Sequence, residues 1–223
     1  LQTEKIKKGI GRFEMAVYNG PLCRICRAQQ KKLFLKGDKC YTKSCPLEKG
    51  RGIPGQKQVV LHMNKPTDYK FHLMEKQKVK AMYGVLERQF RRYFDIAIRQ
   101  KEIPTGDKLL ELLERRLDNV VYRMGFASNR RAARQIVSHG HILVNGKKVN
   151  IPSVILNKGD VVEVKESSRQ IPAIKASLEE RNTFPNWVEV NKDSFRGVVK
   201  ELPNIKELAL DVNPTLIVEL YSK

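Results

Sequence analysis

From Lys65 to Lys101 the chain alternates apolar and polar positions at helical spacing, with Pro66 near the start, Thr67 or Asp68 placed to cap, and Gly84 as a joint. In the second half of that run Leu86, Phe90, Tyr93, Phe94 and Ala97 fall on one side and Arg88, Arg92 and Arg99 on the other. One face predicts a core contact and the opposite face a positive surface. IPTG at 103–106 breaks the pattern. A second helix is expected over DKLLELLERRLDNVVYRMGF from Asp107, its stripe made by Leu109, Leu110, Leu113, Leu117, Val120, Val121 and Met124, ending at Gly125. Ser128 is placed to cap a short helix that stops at Gly140 and buries Ala132, Ala133, Ile136 and Val137. Ile142, Val144 and Val149 then flank Asn145-Gly146, a strong hairpin signal, and VILNKGDVVEVKE adds a turn and a strand. In the tail, WVEV, FRGVVKEL and LIVELY read as strands.

Punctuation divides the chain. After Cys45 the stretch CPLEKGRGIPGQ holds two prolines and three glycines, which stop any regular element and make a linker. The expected organisation is an extension of doubtful origin at 1–14, a cysteine segment at 15–50, a helical region at 51–105, a small α-then-β unit at 106–170 and a C-terminal segment with strands at 171–223. Met15 is either a chance methionine or the true start, with the preceding segment lying upstream of it, and 1–14 is assigned no fold in either case. The first fourteen residues lack the roughly 7–15 residue apolar core of a signal peptide, and no run approaches the ~20 apolar residues of a membrane span. A soluble, cytosolic protein with no membrane partner is expected.

Charge narrows the partner. The 223 residues carry 43 Lys and Arg against 24 Asp and Glu, a formal +19. Residues 1–105 hold 24 basic against 9 acidic residues, so the excess is concentrated in the first half. A polyanion is the natural partner. The arginines are spread over several elements instead of lining one amphipathic helix, which favours a nucleic acid over a lipid surface.

All four cysteines fall in CRICRAQQKKLFLKGDKCYTKSC, spaced C-x2-C-x13-C-x4-C at Cys23, Cys26, Cys40 and Cys45. Two short chelating turns joined by a loop are what one structural zinc ion needs, and four protein ligands leave no open position for catalysis. Disulfides require an oxidising compartment, a redox pair would sit in a βαβ context, and an iron–sulfur cluster remains the other metal chemistry for four thiolates. The cations around the thiols, Arg24, Arg27, Lys31, Lys32, Lys36, Lys39 and Lys43, are candidates to face a phosphate backbone. In the small unit Arg115, Arg116, Arg123, Arg130, Arg131, Arg134, Lys147 and Lys148, with His139 and His141, are expected to converge on one surface that recognises RNA by shape and backbone. Trp187, Tyr41 and Tyr69 have the rings to stack on bases, although packing is the commoner use. The sequence contains no glycine-rich phosphate loop, no nucleophile elbow and no paired acids with reason to be perturbed, so a binding protein is expected, with no catalytic residue and no small-molecule substrate.

YNGPLCRICR (18–27), YGVLERQFRR (83–92), RLDNVVYRMGFASNRRAARQIVSHGHILVNGKKVN (116–150) and the ending LIVELYSK together resemble the bacterial small-subunit ribosomal protein S-four family, from about Met15 to Lys223. The resemblance implies an α+β fold: a helical N-terminal domain with a four-cysteine zinc knuckle, completed by the C-terminal tail, and an inserted small α-then-β RNA-binding domain. It implies a structural component of the small ribosomal subunit in the cytoplasm, a primary 16S rRNA binder that nucleates assembly of the 5′ domain. It further implies neighbours S-three and S-five, messenger RNA at the entry path, and an effect on decoding accuracy. Cys23, Cys26, Cys40 and Cys45 match the metal-binding branch of the family. The block from Arg116 to Lys148 matches a small domain shared with some pseudouridine synthases, which keeps an RNA-modifying enzyme as the alternative. Where the family often carries a dense basic run, this chain has QKQVVLHMNK, with only Lys57, His62 and Lys65.

Overall fold

A computed structural model describes residues 18–55, 67–205, 207–208 and 210–222. Met15, the extension at 1–14, and the QKQVVLHMNK stretch with Pro66 lie outside the described residues. Among the described residues eight α-helices and five strands follow in order: α1 (Leu22–Gln29), α2 (Asp68–Tyr83), α3 (Glu87–Ile98), α4 (Thr105–Glu114), α5 (Leu117–Arg123), α6 (Arg130–Ser138), β1 (Ile142–Val144), β2 (Lys147–Lys148), β3 (Val161–Val164), α7 (Pro172–Glu180), β4 (Val188–Asn191), β5 (Arg196–Val199) and α8 (Pro214–Ser222).

Two apolar cores form. In the helical core Val79 and Tyr83 of α2, Phe90, Tyr93, Phe94 and Ala97 of α3, Leu109, Leu110 and Leu113 of α4 and Ile217 of α8 are all buried. The Thr67 hydroxyl caps α2 by accepting from Lys70 N, and Gly84 closes it at φ 62°, a left-handed conformation that costs glycine little. The α3 stripe buries its aromatic face as the spacing predicts, except Leu86, which precedes the first turn and is 39% exposed.

The expected single helix from Asp107 to Gly125 is two helices. Between α4 and α5 Arg116 is extended at φ −62°, ψ 138°. Here the chain pairs with residues 154–156: Leu117 N donates to Val154 O at 2.8 Å, and Leu156 N to Arg115 O at 2.9 Å. Tertiary hydrogen bonds thus replace two helical ones, overriding a continuous apolar periodicity. The break also moves the domain boundary. Leu109–Leu113 belong to the helical core, and the second core begins at Leu117, so the units meet near Arg115 and not at residue 106.

The second core packs α5, α6 and α7 on an antiparallel sheet of order β2-β1-β3-β5-β4. Asn145 (φ 50°) and Gly146 (φ 76°) form the tight turn between β1 and β2. The α6 cap is Asn129, whose side chain accepts from Ala132 N at 2.9 Å, one residue beyond the expected Ser128.

The tail departs from expectation twice. WVEV and FRGVV form strands, but β5 pairs with β3 and so extends the sheet of the small domain instead of returning to the first domain. LIVELY is not a strand. Pro214 opens α8 with its fixed φ, the Asn213 side chain accepts from Thr215 N at 3.1 Å, and Ile217 and Tyr221, four residues apart, turn one face inward. The Tyr221 ring centroid lies 4.4 Å from that of Phe94 and Ile217 is fully buried, so this helix, with Ile205 and Val212 before it, completes the helical domain.

Candidate nucleic-acid interface

The α3 helix displays a positive face because its other face is committed to the core. Arg88, Arg92 and Arg99 are exposed as the periodicity predicts, joined by Arg91, which the same spacing could have identified. None of the four makes an ion pair among the described residues. The acid at the start of α3, Glu87, is spent elsewhere. It accepts from Lys76 Nζ at 2.7 Å, Lys80 Nζ at 2.6 Å and Tyr221 Oη at 2.9 Å. Burial works against its charge, but these hydrogen bonds outweigh it and hold the carboxyl down to about 2.

A second exposed cationic surface forms around the β1–β2 hairpin, where Lys147 and Lys148 are exposed beside His139. The His139 and His141 rings stand 6.0 Å apart, and His141 Nδ1 lies 2.9 Å from Ser168 Oγ. Partial burial, then the charges of His139, Lys148 and Lys165, lower the His141 pKa.

The arginines of the small domain do not all converge on that surface. Arg116 is fully buried, its guanidinium forked onto Asp118 at 3.0 and 2.6 Å and donating to Tyr93 Oη at 2.7 Å. Arg123 donates to Glu114 at 2.9 and 2.7 Å. Burial lowers the pKa of Arg123, but the carboxylate more than compensates and raises it. These two are corrections to the expected RNA set: each is consumed by an internal acid. Arg115 is held by Glu111, Leu156 O and Asn157. Arg130 donates to Asn119 Oδ1 at 2.7 Å and lies over the rings of Tyr83 and Tyr122, and Arg134 donates to Gly84 O at 3.0 Å. Arg131 is exposed.

The shared acid, Glu114, sits at the end of α4 with no exposure. It accepts from Tyr83 Oη at 2.5 Å and Asn119 Nδ2 at 2.6 Å besides Arg123. Burial opposes its ionisation, yet Arg123, Arg130 and Tyr83 keep the carboxyl below its ordinary value. Tyr83 belongs to the helical domain and Arg123 to the small one, so this charge ties the two cores together.

Around the cysteines, Lys36, Lys39 and Lys43 are exposed, as is Arg24. Arg27 Nε donates to Gly52 O at 2.8 Å. Lys31 pairs with Asp211 at 2.8 Å and Lys32 pairs with Glu48. The segment is anchored to the small domain where Gly37, at φ 64°, approaches Ser128 so closely that an added Cβ would meet its carbonyl oxygen at 3.1 Å. Cys23, Cys26, Cys40 and Cys45 are free thiols lining one cavity of about 20 Å³ with Leu33 and Leu47. Burial, followed by the charges of the other three cysteines, raises the Cys26 pKa. Among the described residues no group of three or more His, Cys, Asp or Glu is arranged to hold a metal ion. No described helix is long and apolar enough to cross a membrane. Of the rings considered for base stacking, Trp187 is buried, whereas Tyr41 and Tyr69 are 72% and 62% exposed.

A helical domain with a positive outer face, joined to a small α-then-β domain with a basic hairpin, defines the class: a two-domain protein of the S4-domain type. Residues 17–114 match the Ribosomal protein S4/S9 N-terminal domain and residues 115–162 the S4 domain, meeting where the two cores meet. The chain is 54% identical over 209 residues to the small ribosomal subunit protein uS4 of Thermoanaerobacter sp. (strain X514), covering 94% of this chain and all of that one. It is 53% identical over 210 residues to protein uS4A of Symbiobacterium thermophilum, with the same coverage, and 51% over 211 residues to uS4 of Geobacter sulfurreducens, again with 94% and 100% covered. The chain belongs to the uS4 family of small ribosomal subunit proteins.

Proposed function

We propose that this protein is a structural component of the small ribosomal subunit that binds 16S rRNA and nucleates folding of its 5′ domain. The observation that carries this reading is the face of Arg88, Arg91, Arg92 and Arg99 on α3, exposed while the nearby acid Glu87 is held by Lys76, Lys80 and Tyr221. Cations left unpaired on a rigid helix are available for phosphates. The hairpin lysines and His139 add a second contact region on a domain joined to the first through Glu114, so the RNA meets a preformed two-part surface. Neighbouring proteins S-three and S-five, messenger RNA at the entry path and a contribution to decoding accuracy belong to the same reading. An RNA-modifying enzyme would need an uncommitted acid at an accessible site; Glu87 and Glu114 are engaged in structural ion pairs.

We also propose one structural zinc ion held by Cys23, Cys26, Cys40 and Cys45. Four reduced thiols facing one small cavity suit it: as thiolates they repel one another, and a divalent cation converts that repulsion into a cross-link of a segment with little core of its own. Among the described residues of that segment the buried apolar side chains are Leu33, Cys26, Cys40 and Cys45, with Cys23 half-buried.

Titration of a 16S rRNA 5′-domain transcript at several salt concentrations tests the RNA reading. Affinity is expected to fall steeply with salt, because each neutralised phosphate releases counterions. Affinity independent of salt, or no binding, overturns it.

A further inference from the structure

Where the cysteine segment, the turn after α2 and helix α6 meet, they enclose a cavity of about 290 Å³, at the lower end of the ~300–1,000 Å³ range of small-ligand pockets. Its lining is mostly apolar, with Leu22 and Ile25 from α1 and Leu86 from the start of α3. Three aromatic residues take part: Tyr83, which is buried, and Tyr18 and Phe34, at 43% and 39% exposure. Arg131 comes from α6.

Phe34 is held in an uncommon way. Its φ is 51°, in the left-handed region that a bulky side chain rarely adopts. Such a conformation persists only where the surroundings enforce it, and it concentrates at functional positions. The ring is braced by Tyr41, stacked at a centroid distance of 4.9 Å and an interplanar angle of 28°. Phe34 also borders the cysteine cavity, yet it is left 39% exposed, available to a ligand.

The charges around the cavity choose between occupants. Arg131 is exposed and has no acidic partner among the described residues. Arg134 lines the same space and donates to a neutral carbonyl, Gly84 O, at 3.0 Å. An apolar side chain from a protein partner would have no use for the exposed Arg131 guanidinium. A nucleotide has both a π face and a phosphate, and the Gln29 and Gln77 amides, also in the lining, offer donors and acceptors for the edge of a base. We infer that this cavity receives one unpaired nucleotide of the RNA, its base on Phe34 and its phosphate at Arg131. The inference rests on the RNA-binding reading above and adds to it a single-nucleotide site formed jointly by both domains and the cysteine segment.

The test uses the full chain and the 16S rRNA 5′-domain transcript. Phe34→Leu keeps an apolar side chain and removes the π face; it is expected to weaken binding by about 5- to 150-fold, the range for one stacked base, with the salt dependence unchanged. Phe34→Tyr keeps the ring and is expected to bind like the parent. Arg131→Gln is expected to reduce the slope of log affinity on log salt by about one. Ultraviolet crosslinking of the parent complex should join one nucleotide to the peptide containing Phe34. Binding of Phe34→Leu at parental affinity overturns the inference, as do crosslinks that place residues 1–14 of the chain, instead of RNA, at this cavity. If the parent protein binds but gives no crosslink here, the single-nucleotide site falls and the RNA-binding reading stands. If the parent does not bind, both fall.

Discussion

Glu114 is the most heavily used buried charge, and its removal shows how the two cores are joined. In Glu114→Ala the guanidinium of Arg123, only 15% exposed, loses both its hydrogen bonds, while Tyr83 and Asn119 lose one each. Breaking a buried ion pair from one side costs ~3–5 kcal/mol, because the remaining charge stays desolvated. That is a large share of the ~5–15 kcal/mol that holds a domain together. Replacing both partners, as in Glu114→Leu with Arg123→Met, leaves no stranded charge and should recover most of the loss. Guanidinium unfolding followed by Trp187 fluorescence, from the small-domain core, and by helical circular dichroism, dominated by the bundle, measures both variants. Two probes are needed because a chain with two cores need not unfold in one step. The single variant should shift both transitions and separate them. A loss below ~1 kcal/mol, the size of an exposed pair, or a double variant no better than the single one, would refute the role given to Glu114.

Three further outcomes follow. Metal analysis of the purified chain should find zinc near one per molecule; Cys40→Ser should abolish it and raise proteolysis within residues 19–50 while the small domain stays folded, and iron, or intact thiols without metal, would remove the zinc proposal. Gly106→Val should loosen α8 from α4, since even a Cβ at Gly106 would come within 2.6 Å of the Pro214 side chain; overpacking of this kind costs ~1–3 kcal/mol, visible as a lowered Tm. The Glu87 carboxyl is held at about 2 against an ordinary 4.5, so its contribution is present above pH 4.5 and is lost as the pH falls toward 2. Because its side chain is 46% exposed, solvent screening keeps that contribution small, and Glu87→Gln should flatten only the acid limb of the stability profile.

The sequence made some elements readable because their determinants are local. The Asn145-Gly146 turn, the Thr67 cap and the aromatic stripe of α3 each depend on residues within a few positions. The displacement from Ser128 to Asn129 as the α6 cap reflects two adjacent residues with equivalent chemistry. The break at Arg116 was hidden because its partners, Tyr93 and the 154–156 segment, lie 23 to 40 positions away. LIVELY was misread for a related reason. Its β-branched residues suit either element, and the choice was made by Pro214 and by the groove that α2 and α4 present. Among the basic residues sign was legible and availability was not: Arg116 and Arg123 look like Arg88 and Arg92 until Asp118 and Glu114 are found facing them. The gathering of four thiols about one cavity was anticipated by their spacing, whereas the strained Phe34 between them has no signature in the sequence.

Co-sedimentation of the purified protein with small ribosomal subunits, followed by mapping of its rRNA crosslinks, tests the central claim most directly. The protein is expected to travel with the subunit and to crosslink to 5′-domain rRNA through the α3 face and the β1–β2 hairpin. A protein that stays in the supernatant, or whose crosslinks avoid both surfaces, would contradict it.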